Sequence, residues 1–325
     1  MLDMTPRPIK SELKSRVLFP EDEKPSRWSF LKVLREFSSL REFYPEINPY
    51  SEAYQFRDNC WAIYSDGNGF GEMWNYLIVG PERAMLIDTN DGIGNVRALA
   101  EYLAKGKEII CVNTHHHIDH IGGNYYFDQV FIHENDAQIL KKNMTPTFFT
   151  DWALDDAGKP KYTWFDVADL PPFHEYEICT FKNADTFDLG QGYIVEAVHL
   201  PGHTAGQSGF FDHQTGCIFI GDVTSAFGPT ADPDHGEYCT VNAFRDALMI
   251  LQPRFDKISG VFPGHGTWDL HAATLQYLLD TCELIIAHPD WYDSKKDFFG
   301  TLVYTHNVYQ LGSDMKYTMD AVVSE

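Results

Sequence analysis

The sequence lacks the features of a disulfide-stapled secreted protein or a membrane protein. Its 325 residues hold six cysteines (Cys60, Cys111, Cys179, Cys217, Cys239 and Cys282), scattered, with no CxxC pair. A disulfide framework and a zinc-thiolate site are therefore not expected, and the thiols read as reduced. No run reaches 18 consecutive apolar residues, and Met1 to Arg16 has no apolar core of the length a secretory signal needs. The expectation is a cytoplasmic protein with no membrane partner. Basic residues are also scarce, 25 Lys and Arg against 47 Asp and Glu, for a formal charge of -22. Such a surface repels polyanions and argues against nucleic acid as a partner. A small-molecule substrate is compatible with it, because a bound dication inverts the local potential.

What is present is an ordinary globular composition, 44% hydrophobic and 22% charged, on a chain long enough for a large core. Residues 1–55 mix charges, prolines and aromatics, as in Arg27 to Leu34. They read as an N-terminal extension of one or two short helices that packs on the core or forms a homodimer. Residues 56–325 read as the main domain. Its first half is a meander of short strands at 60–64, 74–79 and 84–88, then a helix over 94–105 with Val96, Leu99, Ala100 and Leu103 on one face, and a strand over 108–113. A strand at 130–132 and a helix over 134–142 follow. Residues 143–178, rich in aromatics and prolines, read as an insertion, the kind of segment that can wall an active site. The second half repeats the pattern, with strands at 187–190, 193–198, 208–211, 217–220 and 258–262 and helices over 241–252 and 269–287. Two β-rich halves flanked by helices predict an α/β (α+β) fold, two sheets face to face with helices outside.

The chemistry concentrates after the strand 108–113, in Thr114-His115-His116-His117-Ile118-Asp119-His120. Five of these seven residues can ligate a metal. Three later segments also end strands and set a His or Asp beside glycine: Gly202-His203-Thr204, Gly221-Asp222 and Gly264-His265-Gly266. Glycine allows the sharp turns by which separate loops aim side chains at one point. The remaining histidines, such as His133, His174, His199 and His213, read as surface or hydrogen-bonding residues.

The order HxHxDH, Gly-His-Thr, Gly-Asp, Gly-His-Gly resembles the metallo-β-lactamase-fold hydrolases, in their glyoxalase II and lactonase-like branch, from about Cys60 to the helix after His265. The resemblance implies a four-layer αββα sandwich. It gives His115, His117 and His203 to one divalent metal ion and Asp119, His120 and His265 to a second, with Asp222 bridging them and His116 pointing away. Zinc is the first expectation for the two ions, iron or manganese the alternatives. Asp88 matches a family position that hydrogen-bonds a ligand histidine. The bridging Asp222 moves the reading away from the zinc β-lactamases, and His117 away from the flavodiiron oxygen reductases. The implied activity is hydrolysis of an ester, thioester or lactone-type substrate by a hydroxide shared between two metals, with Asp119 as the catalytic residue that orients it. Lactonases of this family place a tyrosine soon after the bridging aspartate. Val223, Thr224 and Ser225 stand there instead, and Tyr238 is the nearest substitute. Two alternatives are a phosphodiesterase and a one-iron oxidoreductase like the persulfide dioxygenases, its iron on His115, His203 and Asp222.

Overall fold

The computed structural model describes residues 16–17, 35, 38–66, 72–298, 300–308 and 313–323. The helix expected near Arg27 to Leu34, and most of the turn at 66–69, lie outside the described residues. Two sheets make the centre. The eight-stranded one runs Glu177–Phe181, Gln129–His133, Glu108–Val112, Arg83–Ile87, Met73–Val79, Cys60–Ser65, Ser51–Arg57 and Arg41–Phe43 in spatial order. It is antiparallel through the meander and parallel where Arg83–Ile87 meets Glu108–Val112. The strand Ser51–Arg57 crosses the boundary set at 55/56, so the sheet begins before it, within the segment read as an extension. The five-stranded sheet runs Thr186–Asp188, Ile194–His199, Ser208–Asp212, Cys217–Gly221 and Gly260–Pro263.

The inner faces of the sheets meet in a core that includes Tyr76, Ile78, Met85 and Val112 from one side and Ala197, Phe210, Phe219 and Phe262 from the other. Each outer face carries helices. Val96–Leu103 is capped by Asn95, whose side chain accepts from the Ala98 N–H, and buries Val96, Leu99, Ala100 and Leu103. These positions recur at three- and four-residue steps, one helical face, and pack on Ile63, Leu77 and Leu86. Each fully buried Leu or Val there contributes roughly 1.5–3 kcal/mol. On the opposite side Val241–Leu251, capped by Thr240, buries Val241, Phe244, Leu248 and Leu251 beside the helix Ala273–Ala287, over Ile218 and Val261. The four layers are the αββα sandwich the sequence predicts.

Two segments carry structure the sequence did not suggest. The chain after 290 supplies three strands of a four-stranded sheet whose fourth is Ser225–Ala226, in the order Ser225–Ala226, Ser313–Tyr317, Thr301–Val308 and Ser294–Phe298. Its last strand is exposed throughout, so no apolar alternation marks it. The insertion at 143–178 holds the helix Phe148–Ala153, and Phe149, Ala153 and Phe165 pack on Tyr50 and Ile93, with Ile118 against them.

Candidate metal centre

The strand Glu108–Val112 ends inside the molecule, and the turn after it is held from below. Asp88 Oδ1 accepts the Thr114 N–H at 2.7 Å and Asp88 Oδ2 accepts the Thr114 hydroxyl at 2.8 Å. Asp88 sits at φ 63°, in the left-handed region an aspartate tolerates better than most residues. The other three loops leave the five-stranded sheet at the same end. The meander closes the rim, since the Trp74 N–H donates to the Gly264 carbonyl at 2.8 Å. At Gly264 a Cβ would lie 2.6 Å from Asp222 Oδ1 and 2.8 Å from His120 Cε1, so only glycine leaves the centre open there.

All seven residues singled out converge, in two groups. His115, His117 and His203 form one; Asp119, His120, Asp222 and His265 form the other, and within each the donor atoms lie within 4.8 Å of one another. In the first, His117 Nδ1 is 3.1 Å from His115 Nε2 and 2.8 Å from His203 Nε2. In the second, His265 Nε2 is 3.2 Å from Asp119 Oδ2 and 3.1 Å from Asp222 Oδ2. Asp222 faces both groups, with Oδ2 also 3.9 Å from His203 Nε2.

The outward nitrogens of four rings are tied. His120 Nδ1 lies 2.8 Å from Asp88 Oδ2, His115 Nδ1 3.0 Å from Thr114 Oγ1, His203 Nδ1 2.5 Å from Ser225 Oγ, and His265 Nδ1 2.9 Å from the Glu72 carbonyl. When each Nδ1–H donates to its oxygen, Nε2 turns a lone pair to the centre, which is how metal-binding histidines are oriented. Asp88 thus fills the position expected of it, and through Thr114 it also backs His115. Thr114, Ser225 and Glu72 are supports that reading the sequence missed. A hydroxyl or a main-chain carbonyl in a loop has no signature of its own.

The two groups differ in charge. Burial, then the neighbouring imidazoles, hold His115 and His117 well below the usual histidine range. Burial brings His203 down to about 4 although Asp222 opposes it. In the second group burial would depress His265, but Asp222 and Asp119 outweigh it and hold the ring up at about 10. Burial opposes the charge of His120 as well, yet Asp222, Asp119 and Asp88 push it upward. Burial works against the Asp222 carboxylate, and His265 and His120 still draw it well below the carboxylate range. The residues fit a cation on a further observation: His120 Nε2 and Asp222 Oδ1 are buried without a hydrogen-bond partner, 3.5 Å apart. Buried polar atoms are rarely left so.

Tyr238 lies elsewhere. Its ring sits 5.5 Å from His199, and it lines an outer cavity of about 610 Å³ with Glu196, Val198, Ala243 and Ile250, a cavity that none of the seven residues lines. The short turn Gly236–Tyr238 carries it there, so it does not stand in for the lactonase tyrosine. Phe227 is the aromatic beside the donors, 5.9 Å from the His203 ring.

Comparison with known proteins identifies the family. The family model of the metallo-beta-lactamase superfamily matches residues 69–292, and the chain belongs to that superfamily. Acyl-coenzyme A thioesterase MBLAC2 of Bos taurus is 30% identical over 180 residues, covering 50% of this chain and 60% of that protein. The chain thus spans less than two thirds of that relative. Hydroxyacylglutathione hydrolase GloC of Haemophilus influenzae is 27% identical over 216 residues, covering 66% of this chain and 87% of that protein. Among solved structures, a metallo-beta-lactamase from Pontibacter korlensis superposes with a TM-score of 0.51 at 21% identity, covering 72% of this chain and 99% of that one. At that identity the likeness speaks to the fold alone. No helix among the described residues is long and apolar enough to cross a membrane.

Proposed function

We propose that the chain is a metal-dependent thioester hydrolase with a centre for two divalent cations, His115, His117 and His203 holding one, Asp119, His120 and His265 the other, and Asp222 both. The observation that carries the two-cation reading is Asp222, whose carboxylate lies within 3.9 Å of His203 and within 3.1 Å of His265. Zinc suits three imidazoles, with iron or manganese as alternatives. Thioester is the bond shared by the substrates for which two relatives are named, an acyl-coenzyme A and a hydroxyacylglutathione. Bound cations would supply a Lewis acid for the thioester carbonyl and lower the pKa of water held between them.

The chain's own residues do the rest. Asp119, 4% exposed, accepts a hydrogen bond from the attacking water and aims it at the carbonyl carbon. The ties from Thr114, Asp88, Ser225 and Glu72 fix the rings, so the site needs little reorganisation during the reaction. Phe227 by His203 and Ile118 in the Tyr50–Phe149–Phe165 cluster provide apolar surface next to donor residues, suited to an acyl group. Water and thioester give a carboxylate and a thiol.

A one-iron oxidoreductase would use His115, His203 and Asp222 and leave the buried His120 Nε2 unexplained. The charge of -22 opposes a nucleic-acid phosphodiester substrate. The test is metal quantification on the purified protein, then a panel of acyl-coenzyme A and glutathione thioesters, lactones and phosphodiesters. Two equivalents of metal and metal-dependent thiol release support the proposal. One iron per chain with oxygen uptake, or thiol release unaffected by metal removal, would sink it.

A further inference from the structure

One buried carboxylate touching these loops has no part in the centre described above. Asp136 lies in the first turn of the helix Glu134–Asn143 and is 0% exposed. Its Oδ2 accepts the His116 N–H at 3.1 Å and the Thr204 hydroxyl at 2.8 Å, and its Oδ1 accepts the Gly206 N–H at 2.6 Å. His116 Nδ1 is 2.9 Å from the same Oδ2, an ion-pair contact when the ring is protonated. The start of the helix grips the second loop again: Asn135 Nδ2 donates to the Ala205 carbonyl at 3.3 Å. His199 Nε2, 2.8 Å from that carbonyl, belongs to a ring stacked on His133, the helix's N-cap, at 4.1 Å.

The two loops that Asp136 joins carry all three histidines of the first group. His115 and His117 flank His116, and His203 precedes Thr204. Hydrogen bonds to an ionised acceptor are stronger than neutral ones, and a buried carboxylate is costly unless paired. A shift of either loop therefore leaves charge uncompensated, which ties the loops to one spacing. The ordinary use of an aspartate in a first helical turn is favourable contact with the helix dipole, a weak effect that needs no loop contact. Gly206 fits the same account: a Cβ there would lie 2.7 Å from Asp136 Cγ, and no side chain could occupy the position without parting the loops.

We propose that Asp136 is a positioning residue that sets the distance between the His115–His117 loop and the His203 loop, with His116, Thr204 and Gly206 as its contacts. The proposal rests on the reading that the three histidines hold a cation. Asp136→Asn keeps the shape and removes the charge and one acceptor, while Thr204→Val removes a single hydrogen bond. The measurement is cobalt(II) titration followed by visible absorption, with His203→Ala and His265→Ala assigning the bands to the two groups, alongside kcat and KM of zinc-loaded protein. Asp136→Asn should weaken cobalt binding at the three histidines by about tenfold or more, leave the other group unchanged, and lower kcat with KM held within about twofold. Thr204→Val should shift the same band by less. Equal weakening of both groups, or unaltered cobalt binding with only a lower melting temperature, would overturn the proposal. If Asp136→Asn does not fold, Thr204→Val decides by the same criteria. Wild-type protein that takes up no cobalt removes the metal reading and this proposal with it. Wild-type binding matched by the variants removes the positioning role alone.

Discussion

The two donor groups lie on either side of Asp222 and are held together by different physics. His115, His117 and His203 bring ring nitrogens within 2.8–3.1 Å of one another, and burial favours their neutral forms, so no opposite charges bind the group. It is kept by outside supports: Thr114 behind His115, Ser225 behind His203, and Asp136 across the loops. The second group attracts itself, since His265 lies between Asp119 and Asp222 at 3.2 and 3.1 Å. Its supports are fewer, a carboxylate at Asp88 and the Glu72 carbonyl. A site of like neutral donors needs a stiff scaffold, whereas a site of opposite charges supplies part of its own cohesion.

Metal removal is the bluntest test of that contrast. Dialysis against a chelator should abolish thioester turnover, and added zinc should restore it. Asp222→Ala, at the junction, should cost more than about a hundredfold in turnover and deplete metal in both groups, since even outer contacts cost 10–100-fold. Intact metal content with undiminished turnover would refute the two-cation centre. Asp88→Ala should weaken metal binding about 10–100-fold in both groups, because Asp88 holds His120 directly and His115 through Thr114. It should also lower the melting temperature, as each buried donor left unpaired costs about 1–3 kcal/mol. Ser225→Ala should weaken only the three-histidine group, by about tenfold; an equal effect on both groups in metal titration would break the contrast.

The smallest effect on the metal centre is expected at Arg35, which pairs with Glu72 at 3.2 Å and Glu52 at 3.4 Å. Glu72 reaches the centre through its carbonyl, 2.9 Å from His265 Nδ1. Arg35 is buried, at 8% exposure, so although Glu52 keeps Arg41 at 3.1 Å, Arg35→Ala should cost roughly 3 kcal/mol of stability by denaturant titration, with the three-histidine group unaffected.

Much of this was legible without coordinates. Four of the seven donors fall within six residues, where chain connectivity alone keeps them close, and the glycines beside His203, Asp222 and His265 mark the turns that present the rest. Periodicity placed the meander, the helix Val96–Leu103 and the helix Val241–Leu251, since burial on one face leaves a repeat in the sequence. The tail after 290 was not legible because its exposed strand has no such repeat. The tail's strand Ser313–Tyr317 nonetheless pairs with Ser225–Ala226 and so helps seat the Ser225 hydroxyl behind His203.

The sequence by itself determined the donor types, their order and the layered fold, because ligand chemistry and side-chain burial are written residue by residue. Tertiary structure decided the rest: the spacing of the donors within each group, the position of Asp222 between the groups, the removal of Tyr238 to an outer cavity, and the conversion of His116 from a spacer into a contact of Asp136. Those are distances between residues such as Asp136 and Gly206, 70 positions apart. Hydrogen bonds to a main-chain N–H or carbonyl leave no mark on the identity of the residue that provides it.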